Sequence, residues 1–158
     1  MKSWKIIAWA LLVTALLFVV IFMTFHSKGV DENQTLQDKL NELKAETDDI
    51  IIYKKGSNGH FSDDPQIKLK GQDIKTFFEC LQLEVPDDHS TCKRKGDLKI
   101  EFFGKGKLLD MMTYHNRTHV RGLDVPINSD FYLPDSSRDK LEKFFIEKGL
   151  LKSDETQK

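Results

Sequence analysis

The sequence predicts an α+β fold in which a mostly antiparallel sheet carries two helices packed on one face, preceded by an N-terminal transmembrane helix. Three observations predict it. A continuous apolar stretch occupies residues 6–25, the elements that follow run strand, helix, strands, helix, and both helical segments place apolar residues on one side. A length of 158 residues suits one domain with short additions.

Residues 6–25 read IIAWALLVTALLFVVIFMTF and contain neither a charged residue nor proline. As a helix this stretch is about 30 Å long, which matches the hydrocarbon core of a bilayer. Lys2 and Lys5 precede it, so the positive-inside rule predicts a cytoplasmic segment at 1–5 and an extracytoplasmic remainder, anchored once in the inner (plasma) membrane. A cleaved signal peptide is the alternative, although its apolar region is usually only about 7–15 residues long and ends in a small-residue site, which FMTFHSKG lacks.

The charge balance gives no sign of nucleic-acid binding, because 31% of the residues are charged and the formal net charge is only −1. Leaving out the two positive charges of Lys2 and Lys5 changes −1 to −3 for the rest of the chain, which argues against a polybasic membrane-binding surface. The predicted partners are therefore the lipid bilayer, through residues 6–25, and a protein of the cell envelope.

Cys80 and Cys92 are the only two cysteines and lie twelve positions apart. In an oxidising compartment such a pair predicts a disulfide bond, which closes a short loop and contributes about 3 kcal/mol. Two free thiols are the alternative.

The helical segment at 35–47 carries Leu36, Leu40 and Leu43 at helical spacing. Because so short a helix is marginal alone, we expect it to pack on its own domain, with a short parallel coiled coil as the alternative. The predicted divisions of the chain are a cytoplasmic N-terminus at 1–5, a transmembrane anchor at 6–25, a linker and juxtamembrane helix at 26–47, an extracytoplasmic α+β domain at 48–151 and a disordered tail at 152–158.

The domain is predicted to begin with the strand DDIIIYKKG, which the turn signal GSNG closes. IKLK is a short edge strand, and LKIEFFGKGKLLDMMTYHNRTHVRGLDV is a meander of three strands, with NSDFYLP as a possible fourth strand after it. Between them GQDIKTFFECLQL is helical, because its apolar residues recur at positions i, i+3, i+4 and i+7. These residues are Ile74, Phe77, Phe78 and Leu81.

The closing segment DSSRDKLEKFFIEKGL predicts a second helix with an apolar face at Leu141, Phe144 and Phe145. Ser136 followed by Asp139 resembles a capping box at its start. At its end, Gly149 can take the left-handed conformation with Leu150 folding back behind it.

In the first hairpin, a three-residue loop Gly104-Lys105-Gly106 would set Phe102 opposite Leu108. The core side of the second strand is then formed by Leu108, Asp110, Met112 and Tyr114. Asp110 is thereby a candidate buried carboxylate, which would need partners. The alternatives place it at the rim of the sheet or turn it outward through a bulge in LLDMM.

In the second hairpin, a three-residue loop at 116–118 pairs Tyr114 with Val120 and keeps the apolar faces in agreement. The other face then carries His115 opposite His119 and Thr113 opposite Arg121. That face is the solvent side unless something covers it, and the four residues form a candidate binding surface. A five-residue loop that contains both histidines remains an alternative.

Two histidines across a strand pair can hold Zn²⁺, but two ligands are too few for a structural or catalytic site. His60, His89 or Asp110 would have to join His115 and His119, so we predict neither a metal nor another cofactor. The chain has no G-x-S-x-G, no Walker-type loop and no H-E-x-x-H, and GKGK is too short for a phosphate loop. The sequence thus indicates no catalytic residue and favours a protein that is not an enzyme.

The segments CKRKGDLKIEFFGKGKLLDMMTYHN, VRG and FFIEKGL resemble a group of uncharacterised bacterial domains with the pattern C-x-C, G-D, an apolar strand, Leu-x-Leu-His, an Arg-containing strand and a helix that ends in Gly. Arg94 stands where that pattern has its second Cys. The resemblance covers roughly the last 60 residues, implies a bacterial origin and implies no function. The matching residues are Cys92, Gly96, Asp97, Tyr114, His115, Arg121 and Gly149.

Two functions follow as hypotheses. The first is a membrane-anchored protein whose extracytoplasmic domain binds another envelope protein, through the 35–47 helix or through the surface of Thr113, His115, His119 and Arg121. The second is an enzyme or a small-ligand or metal sensor that uses His115, His119 and Arg121, because an Arg side chain can hold an anion with two hydrogen bonds.

Overall fold

The computed structural model describes residues 31–86, 96–115, 117–125 and 130–152, which form three helices and an antiparallel sheet of six strands. The helices are α1 (Glu32–Glu46), α2 (Gln72–Cys80) and α3 (Asp135–Glu147). The strands are β1 (Asp49–Lys54), β2 (Ile67–Lys70), β3 (Leu98–Gly104), β4 (Lys107–His115), β5 (His119–Arg121) and β6 (Asp130–Tyr132). The small α+β domain predicted from the sequence is confirmed at this level.

The strands lie in the order β2-β1-β3-β4-β5-β6, and each neighbouring pair is antiparallel. The predicted edge strand is β2, the predicted meander is β3, β4 and β5, and β6 is the expected fourth strand. Because side chains alternate along a strand, one face of this sheet is apolar apart from Asp110. Its buried residues are Ile50, Ile52, Leu69, Leu98, Ile100, Phe102, Met112, Tyr114, Val120 and Phe131.

All three helices pack on this apolar face and share one core with it. Phe77 of α2 is the centre of an aromatic cluster, with ring centroids 6.1 Å from Phe102, 6.0 Å from Phe144 and 6.3 Å from Phe145. Sequence reasoning assigned two helices to this face, and α1 is the third.

Helix α1 buries its three leucines against its own domain, with exposures of 0% for Leu36, 6% for Leu40 and 2% for Leu43. Its packing on the domain is therefore confirmed. The helix begins three residues earlier than the segment 35–47 predicts, and it belongs to the compact unit Glu32–Lys158.

The β3–β4 hairpin differs from the sequence prediction. Its turn has two residues, Lys105 and Gly106, with φ values of 51° and 75°, as a type I′ turn requires. With a two-residue turn alone, every residue of β4 would lie on the face opposite to the predicted one. A bulge between Leu108 and Asp110 restores the predicted faces from Asp110 onward. Leu108 lies opposite Phe103, and Asp110 lies opposite Phe102. The prediction that Leu108 is on the core side is therefore wrong.

The β4–β5 hairpin has the predicted register, with Tyr114 opposite Val120 and His115 opposite His119. The turn is closed by the Thr118 backbone N–H, which donates to the carbonyl of His115 at 3.0 Å. Arg117 takes the left-handed conformation in this turn, with φ 64°.

Helix α3 begins differently from the prediction but ends as predicted. Pro134 occupies the N-cap, and no side chain caps the helix, so the capping box of Ser136 is wrong. At the other end Gly149 has φ 71°, and the Leu150 N–H donates to the Phe145 carbonyl at 2.8 Å. This geometry is the Schellman motif, which satisfies the last carbonyls of the helix.

Two sequence predictions need correction. In the part of the chain that the structure describes, no helix is long and apolar enough to cross a membrane, so the transmembrane helix has no counterpart there. The stretch 6–25 on which it was based lies outside that part. The disulfide is also corrected, because Cys80 is a free thiol, while Cys92 lies outside the described residues. A short separation in sequence is not by itself sufficient for a disulfide, which requires a specific geometry.

Candidate binding surface

We call the sheet face opposite the three helices the open face, since no helix of the described residues packs on it. The predicted surface lies on this face, at the β4–β5 end, where Thr113 pairs with Arg121 and His115 with His119. The register thus brings all four predicted residues together.

His115 is nevertheless buried, with an exposure of only 3%. Its Nε2 lies 2.7 Å from the Thr113 hydroxyl. Gly96 lies directly against both side chains, because an ideal Cβ built on it would be 2.8 Å from Thr113 Cβ and 3.2 Å from His115 Nε2. The chain around Gly96 therefore covers His115, which the hairpin register alone did not reveal.

His119 is half-buried and engaged with its neighbours. Its Nδ1 lies 2.7 Å from the Thr118 hydroxyl, and its ring meets that of Tyr132 edge to face at 5.8 Å. In the described parts of the chain, no group of three His, Cys, Asp or Glu side chains could hold a metal ion. His60 lies in an exposed turn, and His89 falls outside the described residues.

Arg121 presents its guanidinium to Asp130 on the neighbouring strand. Nε and one terminal nitrogen donate to the two carboxylate oxygens, the second pair at 2.7 Å. Asp130 is 1% exposed and Arg121 30% exposed, so the carboxylate of this bidentate pair is shielded from water. An anionic ligand would have to compete with the Asp130 carboxylate for the guanidinium, which disfavours the predicted anion-binding role of Arg121.

Asp110 is buried with partners and is not turned outward. Its carboxylate accepts the backbone N–H groups of Met111 at 2.7 Å and Asp124 at 3.2 Å. Lys39 of α1 lies 3.3 Å away and supplies the counter-charge. The carboxylate thus joins three segments on the core side of the sheet, which is a structural arrangement.

Cys80 ends α2, and burial raises the pKa of its thiol above the ordinary value. Its carbonyl accepts the hydroxyl of the buried Ser137, which also receives the Gln82 N–H at 2.9 Å. Because the thiolate is the reactive form, a raised pKa is unsuited to a catalytic nucleophile.

Sequence reasoning missed an apolar region at the other end of the open face. Leu108 is 52% exposed and Met111 50% exposed, and both are large apolar side chains. Phe103 lies opposite Leu108, whereas Ile51 lies two strands from Met111 with Glu101 between them, and both are half-buried. We call these four residues the apolar patch. A two-residue turn at Lys105-Gly106 would have placed Leu108 on this face, but Lys-Gly is not among the pairs that mark such a turn, and LLDMM does not indicate the bulge.

The strands set the surroundings of the apolar patch in two rows. The first row runs Lys70, Asp49, Phe103, Leu108, and the second row runs Lys68, Ile51, Glu101, Met111.

In these rows, one carboxylate contacts two lysines and the other contacts one lysine that lies outside the rows. Asp49 contacts Lys68 at 2.9 Å and Lys70 at 3.7 Å, and the hydrogen bond from Lys68 lowers the pKa of the Asp49 carboxyl. Glu101 contacts Lys99 at 3.0 Å, and its side chain is only 15% exposed.

A shallow cavity of about 230 Å³ lies between the end of α1 and the β3–β4 turn. None of the four predicted surface residues lines it, so it gives no support to a ligand site there. Its lining residues are Ala45, Glu46, Asp48, Gly104, Lys105 and Leu109.

Comparison with models of protein families, with curated proteins and with solved structures gives no match to this chain.

Proposed function

We propose that this domain is a protein-binding module whose open face receives another protein at the apolar patch. The observation that carries the proposal is the exposure of Leu108 and Met111 side by side, on a sheet face that no described helix covers. Exposed apolar side chains that lie together are typical of interaction sites.

The alternative, an enzyme or ligand sensor at the β4–β5 end, has less support. His115 is buried, and Arg121 is engaged by Asp130. Helix α1, the other surface suggested by the sequence, has its leucines in the core and offers a polar outer side. The apolar patch is the stronger candidate for both reasons.

Site-specific photo-crosslinking of the full chain in its native cells tests the proposal. A photoreactive residue at Leu108 should give a discrete adduct, and one at Lys143, which is 79% exposed on α3, should not. Met111→Glu should abolish the adduct from position 108, while Lys143→Glu leaves it unchanged, because only the former places a charge in the contact.

An adduct from position 108 that persists in Met111→Glu, or equal adducts from positions 108 and 143, would refute a specific contact at the apolar patch. Where the domain acts remains a prediction, since no observation on the described residues tests an extracytoplasmic or envelope location.

A further inference from the structure

The basic end of the two rows suggests what the apolar patch binds. Lys68 and Lys70 share a single carboxylate, that of Asp49, so one positive charge is left over at the β2 end. Both ammonium-bearing side chains reach solvent, with exposures of 44% and 68%. An excess charge next to an apolar surface selects the charge of the partner.

The carboxylate within the second row does not remove this excess. Glu101 lies between Ile51 and Met111 in the row, but it pairs with Lys99 and is largely covered. The row is thus apolar at the β4 end and cationic at the β2 end.

The spacing of the row is set by the sheet. Lys68 and Met111 are separated by three strand intervals of about 4.8 Å, or roughly 14 Å. On an α-helix that lies across the strands, the same distance spans about nine or ten residues, and the nearest positions that share one side of the helix are about seven and eleven residues apart. A helix can pack on the face of a sheet, as the three helices do on the opposite side.

We infer that the partner presents an amphipathic helix with apolar side chains over Leu108 and Met111 and a carboxylate over Lys68 and Lys70, about seven or eleven residues away on the same side of the helix. This inference rests on the proposed function, since it specifies the chemistry of the same surface. A second copy of this face would not supply the carboxylate, because its Asp49 and Glu101 are already in ion pairs.

Two synthetic amphipathic peptides of about 18 residues test the inference by fluorescence anisotropy with the full chain. They share one apolar stripe and differ only at one end, which carries two Glu in one peptide and two Lys in the other. The acidic peptide should bind about tenfold more tightly, and the difference should shrink at high salt. Lys68→Glu with Lys70→Glu should reverse the preference, whereas the matched pair Lys140→Glu with Lys143→Glu on α3 should leave it intact.

Thermal unfolding checks that the doubly reversed variant is folded, and Lys70→Glu alone replaces it if it is not, because Lys70 is the more exposed and the more distant from Asp49. Equal affinity for the two peptides, no binding of either, or a preference that survives charge reversal overturns the inference. A dimer of the full chain in sedimentation velocity that Met111→Glu abolishes also overturns it, since the occupant would then be a second copy. If these outcomes occur while the crosslink at position 108 remains specific, the proposed function stands without this partner chemistry.

Discussion

The side chains at the two hairpin ends of the open face differ in whether they are bonded within the domain or exposed to water. At the β4–β5 end, His115, His119 and Arg121 are engaged by groups of the same domain. At the β3–β4 end, Leu108 and Met111 have half of their surface exposed to water. Residues such as His and Arg need not form a binding site when their polar groups already bond to the same domain. Exposed apolar residues can then be the ones that contact a partner.

The largest loss of stability is expected at the β3–β4 end, from Gly104→Ala. An ideal Cβ there would overlap the backbone oxygen of Glu46 and lie 2.9 Å from Leu109 Cδ1, so α1 would have to move away from the sheet. We expect the free energy of unfolding to fall by about 3 kcal/mol. Urea denaturation measures it.

Gly106→Asn is the matched control in the same turn, because a Cβ at Gly106 meets nothing within 4 Å and Asn tolerates a positive φ. It should cost less than about 1 kcal/mol. Equal losses for the two variants would show that turn conformation matters here and that the approach of α1 does not.

A somewhat smaller effect is expected at the β4–β5 end, from Gly96→Ala. The added Cβ would press on Thr113 Cβ at 2.8 Å, which can move only with its strand, but this overlap is smaller than that between a Cβ at Gly104 and the Glu46 oxygen. The expected loss is about 2 kcal/mol in urea denaturation. Gly56→Ala is the matched control, because a Cβ at Gly56 would come no closer than 3.1 Å to another heavy atom, the side-chain oxygen of Asn58. Equal losses from Gly96→Ala and Gly56→Ala would contradict the placement of Gly96 against Thr113.

Lys39→Met tests the ion pair between Lys39 and the buried Asp110 carboxylate. Met keeps the apolar stem of Lys39 and removes the counter-charge of Asp110, which retains two backbone donors. Because Lys39 is 19% exposed, we expect a loss of about 1–2 kcal/mol, less than for a fully buried pair. The double variant with Asp110→Asn should lose less than the sum of the two single variants. Strict additivity in this double-mutant cycle would rule out the interaction.

Tyr114→Phe is expected to be neutral or to raise stability by up to about 1 kcal/mol. The Tyr114 hydroxyl is buried and has no hydrogen-bond partner among the described residues, and the ring keeps its contact with Phe145 at 5.1 Å. Burial also raises the pKa of the Tyr114 hydroxyl, because the charged form would lose its contact with water. Tyr53→Phe on the open face is the control, and thermal unfolding of both measures the difference. A clear loss confined to Tyr114→Phe would show that the hydroxyl is bonded.

What the sequence could predict follows from local periodicity. Alternation fixed which residues of β3 and β5 face the core, and helical spacing identified the leucines of α1, because burial of one face leaves a regular pattern. The bulge in β4 left no such signal, since LLDMM suits either register. The same holds for contacts between distant segments. Nothing near His115 in the sequence indicates that Gly96 covers it, and nothing near Cys80 indicates that its thiol stays free.

The smallest effect on the free energy of unfolding is expected from Asp49→Asn, at the basic end of the two rows. Lys68 lowers the pKa of this carboxyl from its ordinary value of 3.8, so the folded state favours the charged form. Its contribution to stability is therefore complete above pH 3.8 and is lost as the pH falls through the lower folded pKa. The difference in unfolding free energy between the wild type and Asp49→Asn should be small near neutral pH and vanish in strong acid, as urea denaturation across the acid range can measure. A difference that grows in acid would mean that Lys68 and Lys70 do not stabilise the carboxylate, and the uneven charge beside the apolar patch would then need another origin.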